Sequence, residues 1–272
     1  METCNLESIN QLKINPSNKW LDYSVESRFE ILNAVADLLE EQRPKFIYLL
    51  MHEAGKTLED SIDEIREAVD FLRYYAQCAT DLKPRYQRGP TGEDNILEYG
   101  PKGTVLCISP WNFPLAIFTG QIAAALATGN AVLSKPAPQT PLIAYLAVQL
   151  LHQAGVPLSA LQLLPGGGDI GAALTSNPDV NGVAFTGSTG TALKIRRSMA
   201  ENLRPGSPLI AETGGLNAMI VDSTALPEQA VQSIIESAFQ SAGQRCSALR
   251  CLYVQEDIAD SLLRCSKAPW IR

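Results

Sequence analysis

The 272 residues are enough for a well-buried core, and this length suggests about two domains. A net charge of −7 and a pI near 5.0 argue against a nucleic-acid or anionic-membrane surface, since both need clustered Lys and Arg. The six cysteines form no CxxC pair and lie far from the two histidines, which disfavours a zinc site and predicts a reducing, cytoplasmic location.

The N-terminal part of the chain predicts helices. Residues 1–7 have neither a basic start nor an apolar run, so we expect no secretory signal. Apolar residues then recur at helical spacing from Phe29 to Leu39. Pro44 can open a second helix, which we expect to stop at Gly55.

A third helix is predicted after the tripeptide Gly55-Lys56-Thr57, and Thr57 can cap it. Its predicted buried stripe comprises Ile62, Ile65, Val69, Leu72 and Ala76. The tripeptide resembles the end of a phosphate-binding P-loop, but the first glycine of that motif would fall on Leu50. We therefore interpret the tripeptide as a helix stop and restart.

The middle of the chain predicts a parallel sheet. Residues 83–103 are rich in Pro, Gly, Arg and Asn and predict a linker or an exposed hairpin. Apolar strands then alternate with helices of about 10 to 15 residues, which indicates a sheet covered on both faces. The predicted strands are 104–109, 131–135, 161–164, 183–186 and 209–212, and the predicted helices are 115–128, 141–154, 170–176 and 192–203.

The uncharged stretch 104–134 contains prolines, glycines and polar residues, so it predicts a buried strand and helix rather than a membrane span.

The alternation of strands and helices starts again near Glu212 with a strand at 218–221, a helix at 227–241 and a strand at 249–254. Residues 265–272 break off without completing an element. We therefore expect a second domain that begins near Glu212 and is cut short.

One carboxylate and one thiol stand in segments that could carry chemistry. Glu212 precedes Thr213-Gly214-Gly215, and Cys246 lies in the small, polar segment 241–247. Brought together by a fold, they could act as general base and nucleophile. The alternative is that Cys246 is a small buried hydrophobe and Glu212 a solvated strand end.

Two glycine-rich turns follow predicted strands. Residues 166–171 satisfy GxGxxG, and their backbone N–H groups could surround a pyrophosphate. A dinucleotide site of this type also needs an acidic residue about 20 positions later to bind the ribose, and none is present there. A plain strand-to-helix turn is therefore an equal alternative. Residues 185–190 offer backbone N–H groups and hydroxyls to an anion. They nearly match the GxSxG elbow of hydrolases, but Thr186 replaces the first glycine. With only His52 and His152 as candidate bases, a serine hydrolase is disfavoured.

The segment Ser109-Pro110-Trp111-Asn112-Phe113-Pro114 presents an amide side chain in a turn that two prolines make rigid. A fixed amide N–H can stabilise an oxyanion. The alternative is an asparagine that bonds to its own loop backbone.

Five motifs in this order resemble the aldehyde dehydrogenase superfamily: 110–114, 135–136, 185–188, 212–215 and 243–246. Segments 66–75, 107–117 and 241–250 are most similar to the L-glutamate-γ-semialdehyde dehydrogenase module of bifunctional proline utilisation A proteins. The likeness runs from about Ile14 to Ser261. It implies an aldehyde dehydrogenase-like α/β fold. We expect N-terminal helices and a Rossmann-type parallel-sheet cofactor domain in 1–211, and the start of a second α/β catalytic domain in 212–272.

The resemblance implies oxidation of L-glutamate γ-semialdehyde, formed from 1-pyrroline-5-carboxylate, to L-glutamate in proline catabolism, with NAD as cofactor. Cys246 would attack this small-molecule aldehyde, and the Asn112 side chain with the Cys246 backbone N–H would hold the oxyanion of the thiohemiacetal. Glu212 would activate the water that hydrolyses the thioester. No nucleic-acid or membrane partner is implied, and full-length relatives form homo-oligomers.

The resemblance also assigns binding residues. Lys135 would bind the adenosine ribose, and Gly187 with Ser188 the pyrophosphate. The full set of expected cofactor residues is Ile108, Ser109, Pro110, Trp111, Lys135, Gly187, Ser188 and Gly214. Glu67 matches a position that meets the substrate amino group, and Phe113 and Ser247 match pocket positions beside the reacting carbon. No metal site is expected.

The sequence also departs from the family pattern. Pro138 stands where many relatives carry an acidic residue that bonds to the adenosine ribose, so this position does not select NAD over NADP. Gly190 stands where many relatives have Glu. Relatives continue well beyond this length, and the residues after Leu263 predict a shifted or truncated ending. The alternative function is therefore a catalytically inactive, nucleotide-binding fragment.

Overall fold

The computed structural model describes residues 18–267 of the chain. The expectations for residues 1–7 and for the ending at 268–272 lie outside the described residues. Contacts divide the chain into two compact units with a boundary between Glu212 and Thr213. The roles assigned to the two predicted domains stay predictions.

The first unit opens with helices α1 (Asn18–Leu21), α2 (Val25–Glu41), α3 (Arg43–Glu53) and α4 (Leu58–Thr80). Thr57 caps α4 as predicted, because its side chain accepts a hydrogen bond from the Asp60 N–H. Gly55 has φ +68°, a conformation that glycine adopts without strain, which confirms the helix stop and restart. The predicted buried stripe of α4 is correct except at Ile62, which is only half-buried.

A small hairpin follows the helices. Strands β1 (Arg85–Gln87) and β2 (Asn95–Leu97) pair antiparallel, and both are exposed. Of the two alternatives for residues 83–103, the exposed hairpin is therefore the correct one.

The main sheet contains β3 (Thr104–Ile108), β4 (Ala131–Lys135), β5 (Leu161–Leu163), β6 (Gly182–Gly187) and β7 (Leu209–Thr213), in the order β5-β4-β3-β6-β7. β3 pairs parallel with both β4 and β6. The chain therefore proceeds outward through β4 and β5 and then returns to the other side of β3. In open parallel sheets, ligands bind outside the carboxyl ends of the strands where the order reverses.

The connecting helices are α5 (Ala116–Ala127), α6 (Pro141–Gln153), α7 (Gly168–Thr175) and α8 (Thr189–Asn202). Alternate strand residues enter different cores, as the two-residue period of a strand requires. Cys107 and Val132 pack in one cluster with the N-terminal helices, whereas Leu106 and Leu133 pack in another that includes α7 and α8 residues. Both faces of the sheet are covered, as predicted.

Helices α7 and α8 begin two to three residues before their predicted starts at 170 and 192, because Gly167 and Ser188 serve as N-caps.

The uncharged residues 104–134 form β3, α5 and most of β4. Within residues 18–267, the structure contains no helix with the length and apolarity that a membrane crossing requires.

The second unit pairs β8 (Asn217–Val221) parallel with β9 (Leu249–Val254) and adds α9 (Pro227–Phe239) and α10 (Glu256–Lys267). The predicted helix 227–241 was too long, since Ser241 and Ala242 have left-handed φ values of 52° and 55°. The expectation that residues 265–272 complete no element was wrong for residues 265–267, which end α10.

Candidate active site

The carboxyl ends of β3 and β6 meet where the strand order reverses. Ile108 ends β3, Ser109 and Pro110 follow it and are buried, and Trp111 is 41% exposed. The Gln121 side chain donates to the Thr186 hydroxyl at 3.1 Å and to the Ile108 carbonyl at 3.5 Å. This bridge holds the two predicted cofactor-binding strand ends together. Gln121 was not identified from the sequence.

Lys135 ends β4 beside the GxGxxG turn. Its Nζ donates to the carbonyls of Pro136 at 2.9 Å and Gly166 at 3.0 Å. Burial lowers the pKa of Lys135, and the Asp169 carboxylate partly opposes that effect. A cleft of about 210 Å³ adjoins this turn, and its lining is Ala137, Pro138, Pro141, Pro165, Gly166, Gly167, Asp169 and Ile170. Lys135 thus fixes the turn that forms one wall of the cleft.

Gly187 and Ser188 form the turn from β6 to α8. Ser188 caps the helix, since its Oγ accepts from the Thr191 N–H at 3.2 Å. A Cβ on Gly187 would lie 2.6 Å from the Phe185 ring, so only glycine fits without moving that ring. The turn exposes the positive end of a helix, which favours an anion such as a pyrophosphate.

Two buried hydroxyl groups near the carboxyl ends of β3 and β4 have unused hydrogen-bonding capacity. The hydroxyls of Ser109, after β3, and Thr140, after β4, are buried and have no hydrogen-bond partner within the described residues. Buried hydroxyls without partners are uncommon in folded proteins. Both lie in segments that follow the carboxyl end of a sheet strand, where a polar ligand could complete their bonding.

The Asn112–Phe113 segment is half-buried and is followed by the start of α5. Glu64, from α4, accepts hydrogen bonds from the N–H groups of Leu115 at 2.8 Å and Ala116 at 3.2 Å. Lys56 Nζ lies 2.6 Å from the other Glu64 oxygen and 4.0 Å from the centroid of the Phe113 ring. Burial raises the pKa of Glu64, and Lys56 opposes that shift.

Sequence reasoning interpreted Lys56 only as part of a helix stop and did not identify Glu64. The position of Glu64 could have revealed it, because Glu64 lies one turn from Ser61 and Ala68 on the buried face of α4, where an unpaired carboxylate would be costly. The predicted substrate residue Glu67 lies on the same helix and is exposed.

In the second unit, Cys246 is exposed and lies between a 3₁₀ turn, Gln240–Gly243, and β9. The Asn217 amide donates to the carbonyls of Cys246 at 2.6 Å and Ala248 at 3.0 Å. The interpretation of Cys246 as a buried hydrophobe was therefore wrong. Asn217 was not identified from the sequence, and the neighbouring Ser247 is also exposed.

The remaining predicted residues are also accessible. Glu212 is exposed within β7, and Gly214 is exposed in the segment that follows. Within residues 18–267, no group of three or more His, Cys, Asp or Glu side chains is arranged to hold a metal ion.

Comparison with known proteins gives relatives of high similarity. The chain is 54% identical over 255 residues to Bifunctional protein PutA of Klebsiella aerogenes, which covers 92% of this chain and 18% of the relative. It is 39% identical over 250 residues to the 1-pyrroline-5-carboxylate dehydrogenase of Anoxybacillus flavithermus, covering 90% of this chain and 48% of the relative. The chain therefore spans less than half the length of these relatives.

Solved structures confirm the predicted fold. A crystal structure of a mutant of proline utilization A from Bradyrhizobium japonicum has a TM-score of 0.94 and 50% identity, over 98% of this chain and 28% of that one. The sequence matches the Aldehyde dehydrogenase family over residues 13–268, so the expectation that the likeness ends near Ser261 was wrong. The chain belongs to the aldehyde dehydrogenase family.

Proposed function

We propose that the chain carries the nucleophile and the cofactor-side residues of an NAD-dependent L-glutamate-γ-semialdehyde dehydrogenase of proline catabolism. The observation that carries the proposal is that the Cys246 thiol is exposed. The Asn217 side chain fixes the segment around it by a hydrogen bond to the Cys246 carbonyl. The relatives named PutA and 1-pyrroline-5-carboxylate dehydrogenase support this substrate.

In the proposed mechanism, Cys246 reacts as the thiolate: its Sγ forms a bond to the aldehyde carbon, the carbonyl π bond breaks, and the carbonyl oxygen takes the negative charge. The Asn112 amide and the Cys246 backbone N–H hold this oxyanion. The family cofactor NAD(P)⁺ would supply the hydride acceptor when bound, and loss of the hydride from the former aldehyde carbon leaves a thioester on Cys246. Glu212 then accepts a proton from the water that attacks the thioester, which releases the carboxylate product and frees Cys246.

The proposed cofactor residues lie on the carboxyl side of the sheet strands or after β7. Ile108, Lys135 and Gly187 are the last residues of β3, β4 and β6. Residues 109–111 follow β3, Ser188 follows β6, and Gly214 follows β7. The exposed N-terminus of α8 supports a pyrophosphate contact, and the unpartnered Ser109 hydroxyl supports a polar ligand beside β3.

The proposed substrate residues offer complementary chemistry. Glu67 supplies a carboxylate for the amino group of the substrate. The Phe113 ring and the Ser247 side chain flank the reacting carbon. The exposure of Glu67 and Ser247 and the partial exposure of Phe113 are consistent with these roles.

The test is NAD(P)H formation by the purified chain from 1-pyrroline-5-carboxylate. We expect NADH to form faster than NADPH, and Cys246→Ala to lower the rate at least about a thousandfold because the nucleophile is lost. Cys251→Ala is the matched control, since Cys251 is a half-buried thiol of β9 in the same unit and should leave the rate unchanged. A Cys246→Ala rate equal to that of the parent chain would refute the proposal.

A second candidate is a nucleotide-binding protein without turnover. Every proposed cofactor residue except Gly214 lies in the first unit, which contains the two large apolar cores. Calorimetric titration with NAD⁺ separates the candidates. Binding by both the parent chain and Cys246→Ala, with no NADH formed by either, would favour this second function.

A further inference from the structure

We propose that the buried Lys56–Glu64 ion pair is a positioning device for the Asn112–Phe113 segment. The pair contacts this segment at two places, one on the backbone that follows it and one on the Phe113 ring. The chemical consequence rests on the proposed function, because it concerns the amide expected to hold the oxyanion. The structural consequence can be tested independently of any turnover.

Glu64 fixes the backbone at the start of α5. The N-cap residue Leu115 makes no side-chain capping bond, and Pro114 before it has no N–H. Glu64 Oε1 instead accepts from the N–H groups of Leu115 and Ala116, two of the donors that a helix leaves unpaired at its start. A carboxylate is also the group that the positive end of a helix favours.

Lys56 fixes the side-chain part of the same segment. Its side chain is 5% exposed, and its ammonium lies 2.6 Å from Glu64 Oε2 and 4.0 Å from the centre of the Phe113 ring. An ammonium at this distance attracts the ring face, and the attraction grows when water is excluded. The contact with Glu64 has the distance of an ion pair without the angles of an aligned hydrogen bond.

These two contacts hold the residues on the C-terminal side of Asn112, while Ser109 and Pro110 are buried on its other side. The backbone between them is therefore restricted in its motion. An amide must be held in a fixed position if it is to stabilise charge without reorganising. The ion pair also neutralises the carboxylate, so that the segment is held without an added net charge. Lys56 and Glu64 are positioning residues, since each acts through the backbone or ring of another residue.

Glu53 provides a matched control because its carboxylate also accepts from backbone N–H groups at the start of another helix. Its two oxygens accept from the N–H groups of Leu142 at 2.7 Å and Ile143 at 3.0 Å, at the start of α6. The test compares Glu64→Gln, Lys56→Met and Lys56→Arg with Glu53→Gln. Peptide-level hydrogen–deuterium exchange of the full chain is the primary measurement, and protection of residues 131–135 in β4 verifies that each variant is folded.

We expect Glu64→Gln and Lys56→Met to raise exchange in residues 111–117 at least about tenfold and to change the emission of the partly exposed Trp111. Glu53→Gln should raise exchange only near residues 142–144, and Lys56→Arg should keep most of the protection because it retains the cation. In turnover assays, kcat should fall about tenfold for Glu64→Gln with little change in NAD⁺ affinity.

The positioning role is overturned when folded Glu64→Gln and Lys56→Met show parent-like exchange in residues 111–117, or when Glu53→Gln loosens that segment equally. It is also overturned when exchange rises as expected but an active parent chain and Glu64→Gln share the same kcat. Failure of the proposed function has a different signature. The parent chain then forms no NADH, while the exchange pattern still reports on the ion pair.

Discussion

Cys107 and Cys246 are two thiols of the same chain that differ in their burial. Cys246 is exposed, whereas Cys107 lies in β3 and is buried in the core that includes the N-terminal helices. Burial disfavours the thiolate and raises the pKa of Cys107 to about 12. Because the thiolate is the nucleophilic form, Cys107 stays unreactive at neutral pH.

This pKa shift predicts a pH dependence of stability. From pH 9 to about 12 the unfolded chain releases the Cys107 proton and the folded chain retains it. The folded state therefore binds more protons, and stability falls by up to about 1.4 kcal/mol per pH unit in this window. Urea unfolding of the parent chain and Cys107→Ala should show a difference in free energy that shrinks from pH 9 upward. A constant difference would contradict the shift.

Asn217 should stabilise the segment that carries Cys246. Asn217→Ala removes the donor to the carbonyls of Cys246 and Ala248. We expect a loss of about 1 to 3 kcal/mol in unfolding free energy and faster amide exchange in residues 246–249. Asn202→Ala is the control, since the exposed Asn202 amide donates to the Ser198 carbonyl within its own helix, α8. Equal effects of the two substitutions would contradict a special role for Asn217.

The residues missed in the sequence share a physical cause. Asn112, Glu212 and Cys246 stand in recognisable local motifs, so their types and neighbours indicated chemistry. Glu64 acts on Leu115, 51 positions away in sequence. Only tertiary packing brings such partners together, and the spacing of residues along the chain does not predict which distant residues will be in contact. Gln121 and Asn217 were missed for the same reason.

At the scale of elements, α5 is a helix without charged residues whose two ends are stabilised by other helices. Glu64 accepts from the N–H groups at its start. At its end, Arg28 Nε donates to the Ala127 carbonyl at 3.1 Å, and Trp20 Nε1 donates to the Leu126 carbonyl at 3.1 Å. An anion at the start and a cation at the end both match the helix dipole.

Arg28→Met should therefore destabilise the first unit. The substitution leaves the Ala127 and Tyr23 carbonyls without their Arg28 donor, and we expect a loss of about 2 to 4 kcal/mol. Arg73→Met is the matched control, because Arg73 pairs with Asp37 on the surface and should contribute less than about 1 kcal/mol. Urea unfolding measures both. Similar losses for the two variants would show that the buried cap is unimportant.

Element positions were largely predictable, whereas some ends were not. Proline, glycine and apolar spacing located β3, β4 and α6 to within a residue or so, because those signals are local. The starts of α7 and α8 were placed late, since Gly167 and Ser188 were interpreted as turn residues rather than caps. The helix α10 was missed altogether.

The two units differ in how much apolar surface they bury. The hydrophobic cluster of the second unit has Val221, Val231 and Leu262 as its buried members, whereas Ile220 and Leu216 are 80% and 88% exposed. Because its buried cluster is this small, we expect the second unit to open more readily than the first. The order of the strands in the sheet could not be predicted from the sequence. The residue pattern of a strand indicates which of its side chains are buried, but it does not indicate which strands are its neighbours.

Hydrogen–deuterium exchange should therefore differ between the units. We expect amides of β8 to exchange at least about a hundredfold faster than those of β3, which lies between two strands and two cores. Pulse labelling with peptide mapping measures both strands in one sample. Equal protection of β3 and β8 would contradict this difference.

Covalent bond formation between Cys246 and the aldehyde can be measured by acid-quenched labelling. The Glu212→Gln chain is mixed with NAD⁺ and 1-pyrroline-5-carboxylate, quenched in acid, digested and analysed by mass spectrometry. Because the proposed base for hydrolysis is removed, we predict that a glutamyl thioester accumulates on the peptide that contains Cys246. An adduct on another cysteine, or no adduct on Cys246 while NADH forms, would exclude Cys246 as the nucleophile.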